Sequence, residues 1–381
     1  MRIVAIAGSQ IPSDTANSIQ VMKVCNALVQ LGHDLTLIVP GERQYSSGTM
    51  LQIANRKSEI VDLKFHYGLR TEFHIEWLPT SNRRLFPWKA FQHARNFKPN
   101  LIYSWPIQSA VFALLYKIPA VFEVHNEPTG LFGPVWLRAF AKFRGRKRLA
   151  SITQALIDLL DHRHNIRFKA DEVVIAPNGV DLDRFASLPD PVTARQQLTL
   201  PSALTVMCTG HLYAGRGADL FLALAKEIPQ AHFVWVGGKP GDVETWKART
   251  LSDNVTLTGF IPNQDLPFYQ SAADVLLMPY SRSIMGSSGT ADSANVASPM
   301  KMFEYMAAGR AIVTADLPVI REVLNEQSAV FCEPDDLGKW KLGVEKLLAD
   351  EQRRVALGNQ ARENVEGYTW LARAERIMRG L

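Results

Sequence analysis

Short apolar runs of strand length alternate with helical patterns along the chain, and this alternation is the strongest constraint on the fold. In the first half the runs are RIVAIA (2–7), LTLIVP (35–40), HIEWLP (74–79), NLIYSW (100–105), PAVFEV (119–124), LASITQ (149–154) and EVVIAP (172–177). Strands that alternate with helices pair in parallel and are covered on both faces. The pattern therefore predicts an α/β domain with a doubly wound parallel sheet.

The same rhythm restarts in the second half of the chain. Its runs are LTVMCTG (204–210), AHFVWVGG (231–238), NVTLTGF (254–260), DVLLMPY (274–280), AIVTAD (311–316) and SAVFCEP (328–334). A length of 381 residues fits two domains. We predict domains at 1–185 and 204–367, joined by a proline-bearing linker at 186–203. Because ligand crevices form at strand carboxyl ends, two such crevices facing each other would make a deep cleft.

Composition and charge exclude several classes of protein. The net charge of +5 permits contact with anionic lipids or nucleotides without requiring either. The three cysteines are far apart and form no CxxC pair, so the sequence predicts no metal site and a reduced, cytoplasmic setting. The N-terminal apolar run is too short for a signal peptide, and no apolar run reaches the length of a membrane span. GxGxxG and GxxxxGK[ST] are absent, as is any nucleic-acid-binding motif.

The stretch SPMKMFEYMAAG (298–309) begins like a helix and then misplaces a charge. Ser298 is a good N-cap and Pro299 suits the first helical position, but Lys301 follows where a glutamate would close a capping box. A cation at the positive end of a helix is unfavourable. One interpretation is an ion pair between Lys301 and Glu304, which share one predicted face with Tyr305 and Ala308. The other is an anion held by Lys301 and by the N–H groups of Met300 and Lys301, with Glu304 accepting hydrogen bonds from a vicinal diol such as a ribose.

Two further stretches follow predicted strands, where α/β proteins carry ligands. TGHLYAGRGADLFLAL (209–224) places Arg216 and His211 in a glycine-containing turn before a helix, which suits either a pyrophosphate site or an ordinary turn with an exposed arginine. FEVHNEPTG (122–130) carries His125, beside Glu123, Asn126 and Glu127. A lone histidine is more often structural than catalytic, and nothing near it has the spacing of a metal site.

Two surface segments also have alternative interpretations. The loop AGSQIPSDTANS (7–18), before a helix capped by Asn17 or Ser18, would hold an acceptor or a donor phosphate, or would only connect two elements. RAFAKFRGRKR (138–148) is either a solvated basic face or a contact with anionic lipid, since Trp136, Phe140 and Phe143 interleave with the charges.

Five stretches in register resemble a known family. They are NALVQLGHDLTLIVP, VVIAPNGVDLDRF, TGHLYAGRGADLFL, VTLTGFIPNQDLPFYQSAADVLLMPY and SPMKMFEYMAAGRAIVTADLPVIREVL. The chain resembles the retaining, nucleotide-sugar-dependent glycosyltransferases of the GT-B fold, a group that includes bacterial mannosyltransferases and sucrose synthases. The resemblance implies two Rossmann-like domains facing across a cleft. The C-terminal domain would bind the donor, the N-terminal domain the acceptor, and a final helix at 368–381 would return to the N-terminal domain.

The resemblance also implies roles for individual residues. His125 matches the histidine near the transferred sugar, Arg216 the basic residue on the diphosphate, Glu304 the ribose glutamate, and Phe260 the end of a turn that contacts the base. The implied donor site comprises His211, Arg216, Met300, Lys301, Glu304, Phe260, Ser298 and Gly8; the implied acceptor residues are Asn17 and Asn126. Two departures stand out: Val296 replaces a glutamate in a branch with SPxK, and His211 replaces an arginine.

The implied activity is retaining transfer of a sugar from a UDP- or GDP-sugar to a glycan or lipid-linked acceptor, without a cofactor or metal. We expect a cytoplasmic protein with a peripheral membrane contact through 136–148 and no nucleic-acid partner. Two alternatives remain at this level: a nucleotide-sugar 2-epimerase of the same fold, or a degenerate binding subunit, suggested by Val296 and His211. The loop 281–297 would lie beside the sugar.

Overall fold

A computed structural model describes residues 1–42, 50–53, 56–212, 215–249, 252–283 and 294–381. The strands are β1 Arg2–Ile6, β2 Asp34–Pro40, β3 Met50–Ile53, β4 Arg56–Asp62, β5 His74–Leu78, β6 Leu101–Ser104, β7 Ala120–Val124, β8 Lys147–Ser151, β9 Val173–Ile175, β10 Thr205–Thr209, β11 His232–Val236, β12 Val255–Gly259, β13 Val275–Met278, β14 Ala311–Ala315 and β15 Val330–Cys332. The α-helices are α1 Ala16–Gln30, α2 Leu63–Tyr67, α3 Phe86–Ala94, α4 Ile107–Leu115, α5 Gly133–Lys142, α6 Gln154–His164, α7 Pro191–Gln197, α8 Ala218–Glu227, α9 Pro240–Ala248, α10 Leu266–Ser271, α11 Met300–Ala308, α12 Pro318–Arg321, α13 Leu337–Ala349, α14 Glu351–Asn364 and α15 Trp370–Met378.

The chain divides into two compact units. Unit 1 comprises Met1–Asn178 and Trp370–Leu381, and unit 2 comprises Gly179–Thr369. The first boundary thus lies at Asn178, a few residues before the predicted end of the N-terminal domain at 185. The last helix, α15, belongs to unit 1, where it packs against α1.

Unit 1 is built on a parallel sheet with the strand order β5-β2-β1-β6-β7-β8-β9. Every residue of β6 and β7 is buried, because helices cover both faces of the sheet. This explains why these strands are mostly apolar in the sequence. The antiparallel pair β3–β4 lies outside the sheet and was not predicted.

Unit 2 repeats the architecture with the order β12-β11-β10-β13-β14-β15, again parallel. Together the two sheets confirm the predicted fold class. The segment 186–203 differs from the predicted linker, because it contains α7 and belongs to unit 2. Asp190 caps α7, and Arg195 holds this helix to the sheet through a buried ion pair with Asp274 at 2.7 Å.

A buried ion pair joins the helix α15 to β7 of unit 1. Arg373 reaches both carboxylate oxygens of Glu123, at 2.7 and 3.2 Å, and its Nε donates to the backbone oxygens of Ala176 and Pro177. Both charged side chains are almost fully buried. Each charge therefore depends on the other for compensation.

Replacing Arg373 by Met should destabilise unit 1 by about 3–5 kcal/mol, because Glu123 would keep a buried charge without its cation. Differential scanning calorimetry would detect the change as a lower unfolding temperature. The matched control is Arg379→Met, which removes an exposed charge just beyond α15 and should cost less than about 0.5 kcal/mol. Equal shifts in the two variants would contradict this role of Arg373.

Candidate functional site

A glycine lets the turn between β10 and α8 pack against the carboxyl end of β13, the neighbour of β10 in the sheet of unit 2. Gly217 has φ +85°, and a Cβ atom there would lie 1.8 Å from the backbone oxygen of Pro279. Only glycine fits this close approach, which holds the turn before α8 against the end of β13. Ser281 N–H donates to the Gly215 oxygen at 3.2 Å across the same contact.

The helix α11 starts one residue later than predicted. Met300 is its first residue, Pro299 occupies the N-cap position, and no side chain caps the helix. The assignment of Ser298 as N-cap was therefore wrong; Ser298 is buried just outside the helix. Lys301 becomes the second helical residue, and the first turn of α11 retains N–H groups that can bind an anion.

Lys301 is buried and is not paired with an acid in the described part of the chain. Its Nζ donates to the Thr209 oxygen at 2.9 Å, lies 3.6 Å from the Cys208 sulfur, and lies 4.8 Å from the centre of the Tyr280 ring. Burial raises the pKa of the Cys208 thiol and outweighs the opposing effect of Lys301. The thiol therefore stays neutral and does not compensate the lysine.

The ion pair between Lys301 and Glu304, one of the two interpretations of this stretch, does not form. The Glu304 carboxylate instead accepts a hydrogen bond from Gln270 at 3.3 Å, while the Gln270 side chain is fully buried. Tyr305, predicted on the same face as Lys301 and Glu304, is also buried. Its hydroxyl accepts a hydrogen bond from Thr209 N–H at 2.7 Å and so anchors α11 to the end of β10.

Arg216 is the second cation at this edge. It lies half-buried in the turn before α8, and its Nη1 donates to the Tyr280 hydroxyl at 3.4 Å, with the guanidinium 5.6 Å from the ring centre. The same ring contacts Lys301, so both cations lie against one side chain. Among the described residues neither cation has a carboxylate partner, and the N-termini of α8 and α11 add partial positive charge. Such an arrangement favours an anion.

The remaining predicted donor residues of unit 2 lie at or near strand ends. His211 follows Gly210 after β10, Phe260 follows β12, and both are half-buried. Val296, at the position of the replaced glutamate, is buried. Most of the loop 281–297, namely 284–293, lies outside the described residues.

His125 lies at the carboxyl end of β7 in unit 1, with part of its side chain exposed. Its Nε2 is 2.7 Å from Glu123 Oε1. Burial would raise the pKa of the Glu123 carboxyl, but Arg373 and His125 outweigh burial and hold that pKa well below its usual range. An ionised carboxylate only accepts, so Nε2 carries the hydrogen of this contact.

A polar cluster behind His125 was missed by the sequence analysis. The Glu123 carboxylate also accepts hydrogen bonds from Gln20 of α1 and from the Tyr103 hydroxyl of β6. The Gln20 oxygen in turn accepts from Trp105 Nε1 at 3.1 Å. One sign was available in the sequence, because Glu123 is the only charge within the apolar run PAVFEV.

The other predicted residues of unit 1 are exposed at the same sheet edge. Gly8 follows β1, and Asn126 follows β7. Asn17 lies in the first turn of α1, whose N-cap is Thr15, so the prediction of Asn17 or Ser18 as the cap was wrong. Hydrogen bonds do not join these residues to one another in the structure.

The basic segment 136–148 is only partly a surface. Phe140 is fully buried, Lys147 pairs with Glu172 at 3.4 Å, and Arg146 and Arg148 donate to backbone oxygens at the end of the chain. The basic residues that stay exposed on and after α5 are Arg138, Lys142, Arg144 and Arg146. Exposed apolar side chains instead precede them: Leu131 is 84% exposed, Phe132 65% and Val135 56%.

Two absences concern the described residues only. In that part of the chain no three His, Cys, Asp or Glu side chains are grouped as a metal site requires. None of the helices described is long and apolar enough to cross a bilayer.

Each unit matches a known protein family. Residues 18–184 match Glycosyltransferase Family 4, and residues 203–350 match Glycosyl transferases group 1. The GDP-mannose-dependent alpha-(1-6)-phosphatidylinositol monomannoside mannosyltransferase of Mycolicibacterium smegmatis is 27% identical over 212 residues, which are 53% of this chain and 54% of that protein. The D-inositol 3-phosphate glycosyltransferase of Kineococcus radiotolerans is 24% identical over 230 residues, or 54% of this chain and 50% of that protein. The chain thus spans about half the length of these curated relatives.

A solved structure extends the likeness to the whole chain. HepE of Anabaena in complex with UDP has a TM-score of 0.72 and 16% identity, covering 100% of this chain and 99% of that one. At this identity the likeness establishes the fold. The chain therefore carries a glycosyltransferase family 4 domain and a glycosyl transferases group 1 domain, on the two-unit fold of the GT-B glycosyltransferases.

Proposed function

We propose that the protein is a retaining glycosyltransferase that uses a nucleoside diphosphate sugar. The observation that carries this proposal is the pair of cations, Arg216 and Lys301, that lacks a carboxylate partner among the described residues and lies beside two helix N-termini. A diphosphate has the charge to compensate both. The family matches support the proposal, as do the structures of HepE with UDP and with UDP-glucose.

The chemistry follows from charge development on the leaving group. When the sugar's anomeric carbon separates from the diphosphate, negative charge grows on the departing oxygen. Arg216, Lys301 and the helix N-termini would stabilise that charge without a metal or cofactor. The acceptor hydroxyl would attack the anomeric carbon from the face that the diphosphate leaves, so the configuration at that carbon would be retained. Its proton would pass to the leaving phosphate oxygen. Glu304 would bind the ribose hydroxyls, and His125 would position the sugar.

The acceptor and the setting belong to the same proposal. The mannosyltransferase relative is named for a phosphatidylinositol monomannoside, which supports a lipid-linked acceptor here, with a glycan acceptor as the other form of the proposal. A cytoplasmic enzyme at the inner membrane face fits such an acceptor. The binding measurement below decides whether the nucleotide of the donor is UDP or GDP.

Replacing Lys301 by Met should weaken the binding of UDP or GDP, whichever the wild type prefers, by about 10- to 100-fold, since a charge-assisted hydrogen bond is lost. Isothermal titration calorimetry measures this directly. Lys226→Met is the matched control, because Lys226 is an exposed lysine on α8. This variant should bind the nucleotide with the same affinity as the wild type. Failure of the wild type to bind either nucleotide would reject the proposal and support a degenerate subunit.

Replacing His125 by Ala should lower turnover by about 100-fold while the affinity for the nucleotide sugar stays within about twofold, because the ring acts at the reacting sugar. The assay follows nucleotide release from UDP-glucose or GDP-mannose, with retention and sugar transfer read by product analysis. His74→Ala, at an exposed position in the same unit, is the control. Unchanged turnover in His125→Ala would contradict the assignment, and a 2-epimer formed without acceptor would favour an epimerase.

We also propose that unit 1 contacts an anionic membrane surface. We place the candidate surface at 131–146 rather than at 136–148, because exposed Leu131, Phe132 and Val135 precede the exposed basic residues. Apolar side chains beside positive charges suit the headgroup boundary of an anionic bilayer.

Replacing Leu131 and Phe132 together by Ser should reduce binding to vesicles of phosphatidylcholine and phosphatidylglycerol by at least about tenfold, since both apolar side chains lose burial. Co-sedimentation measures the bound fraction. The control, Leu342→Ser with Val355→Ser, removes two exposed apolar side chains from unit 2 and should not change binding. Equal binding by both double variants would contradict this surface.

A further inference from the structure

Tyr280 is the shared neighbour of the two proposed diphosphate ligands. We propose that Tyr280 is a positioning residue that holds Arg216 and Lys301 as a pair suited to a diphosphate rather than a monophosphate. The inference rests on the proposed function of the same site. The contacts of Tyr280 that support this inference were not part of any sequence motif. The sequence analysis placed Tyr280 only at the end of an apolar run.

The ring of Tyr280 is held rigidly. Its side chain is 1% exposed, so it acts on a ligand through its neighbours rather than by touching it. Tyr280 N–H donates to the Met278 oxygen at 2.9 Å, and the preceding residue, Pro279, packs its backbone oxygen against Gly217. The backbone that fixes the ring therefore also contacts the turn that carries Arg216.

The ring attracts both cations through cation–π interactions, which leave their positive charge uncompensated. The Lys301 nitrogen lies 4.8 Å and the Arg216 guanidinium carbon 5.6 Å from the ring centre, both within cation–π range. A carboxylate at this position would attract them more strongly, but it would neutralise them and compete with an anionic ligand. An aromatic ring holds two like charges in place and leaves their charge for the ligand.

The Tyr280 hydroxyl adds direction to this arrangement. It accepts a long hydrogen bond from Arg216 Nη1, at 3.4 Å, on the side chain whose Nε is buried without a partner among the described residues. This contact limits the rotation of the guanidinium. A single phosphate can satisfy one fixed cation, whereas two neighbouring phosphates can engage both, so holding the pair favours the diphosphate.

The test compares nucleoside diphosphate with monophosphate binding. Tyr280→Leu should weaken UDP or GDP binding by about tenfold and UMP or GMP binding by less than about twofold, so the preference for the diphosphate falls. Tyr280→Phe keeps the ring and its volume and should lower the preference by about threefold, through loss of the hydroxyl contact. Calorimetry measures the affinity of each variant for UDP, GDP, UMP and GMP.

The control is Tyr116→Leu in unit 1, where the Tyr116 ring lies 4.4 Å from the guanidinium carbon of Arg95. That variant loses a cation–π contact of the same kind and should keep the full preference for the diphosphate. Circular dichroism establishes that each variant is folded. If Tyr280→Leu does not fold, Tyr280→Phe decides: a lower preference supports the inference and an unchanged preference overturns it.

The outcomes separate the two proposals. A wild type that binds neither UDP nor GDP overturns the proposed function and this inference together. A wild type that prefers the diphosphate, with the preference unchanged in both Tyr280 variants, overturns the positioning role while the proposed function stands.

Discussion

Glu123 places a carboxylate inside an apolar strand, and unit 1 is organised around its compensation. Arg373 supplies the opposite charge from the end of the chain, while Gln20, Tyr103 and His125 donate to the same two oxygens. Because an uncompensated buried charge is costly, the position of α15 and the orientation of His125 are set by one group. The ion pair thus links the return of the chain to unit 1 with the geometry of a candidate catalytic side chain.

The candidate anion site of unit 2 depends on a steric constraint. Gly217 lets the turn before α8 approach the end of β13 so closely that no other residue fits. This approach brings Arg216 to Tyr280, and Tyr305 draws the start of α11, with Lys301, to the end of β10. Backbone packing at Gly217 and the hydrogen bond of Tyr305 place the two cations close to the same ring. These contacts hold them there although like charges repel each other.

The sequence predicted the alternation of strands and helices in both units because buried parallel strands need apolar side chains on both faces. It did not predict α7, since a short capped helix between prolines resembles a linker. The start of α1 was misplaced because several residues near it are able to cap a helix, and the start of α11 was misplaced because no side chain caps it. The Glu123 cluster and the role of Tyr280 depend on contacts between distant segments, which periodicity within one element cannot supply.

Lys301 shows why a local irregularity in a sequence is informative. The helix dipole disfavours a cation at this position. An ion pair with Glu304 would have compensated the charge, but Glu304 is hydrogen-bonded to Gln270 instead. The lysine is instead buried against Thr209, Cys208 and Tyr280, where it costs stability unless an anion compensates it. Residues that break a local rule and gain no local partner are expected where a ligand completes the structure. Under the proposed function, a diphosphate bound beside Lys301 would compensate this charge, and the stability lost by burying it would be regained on binding.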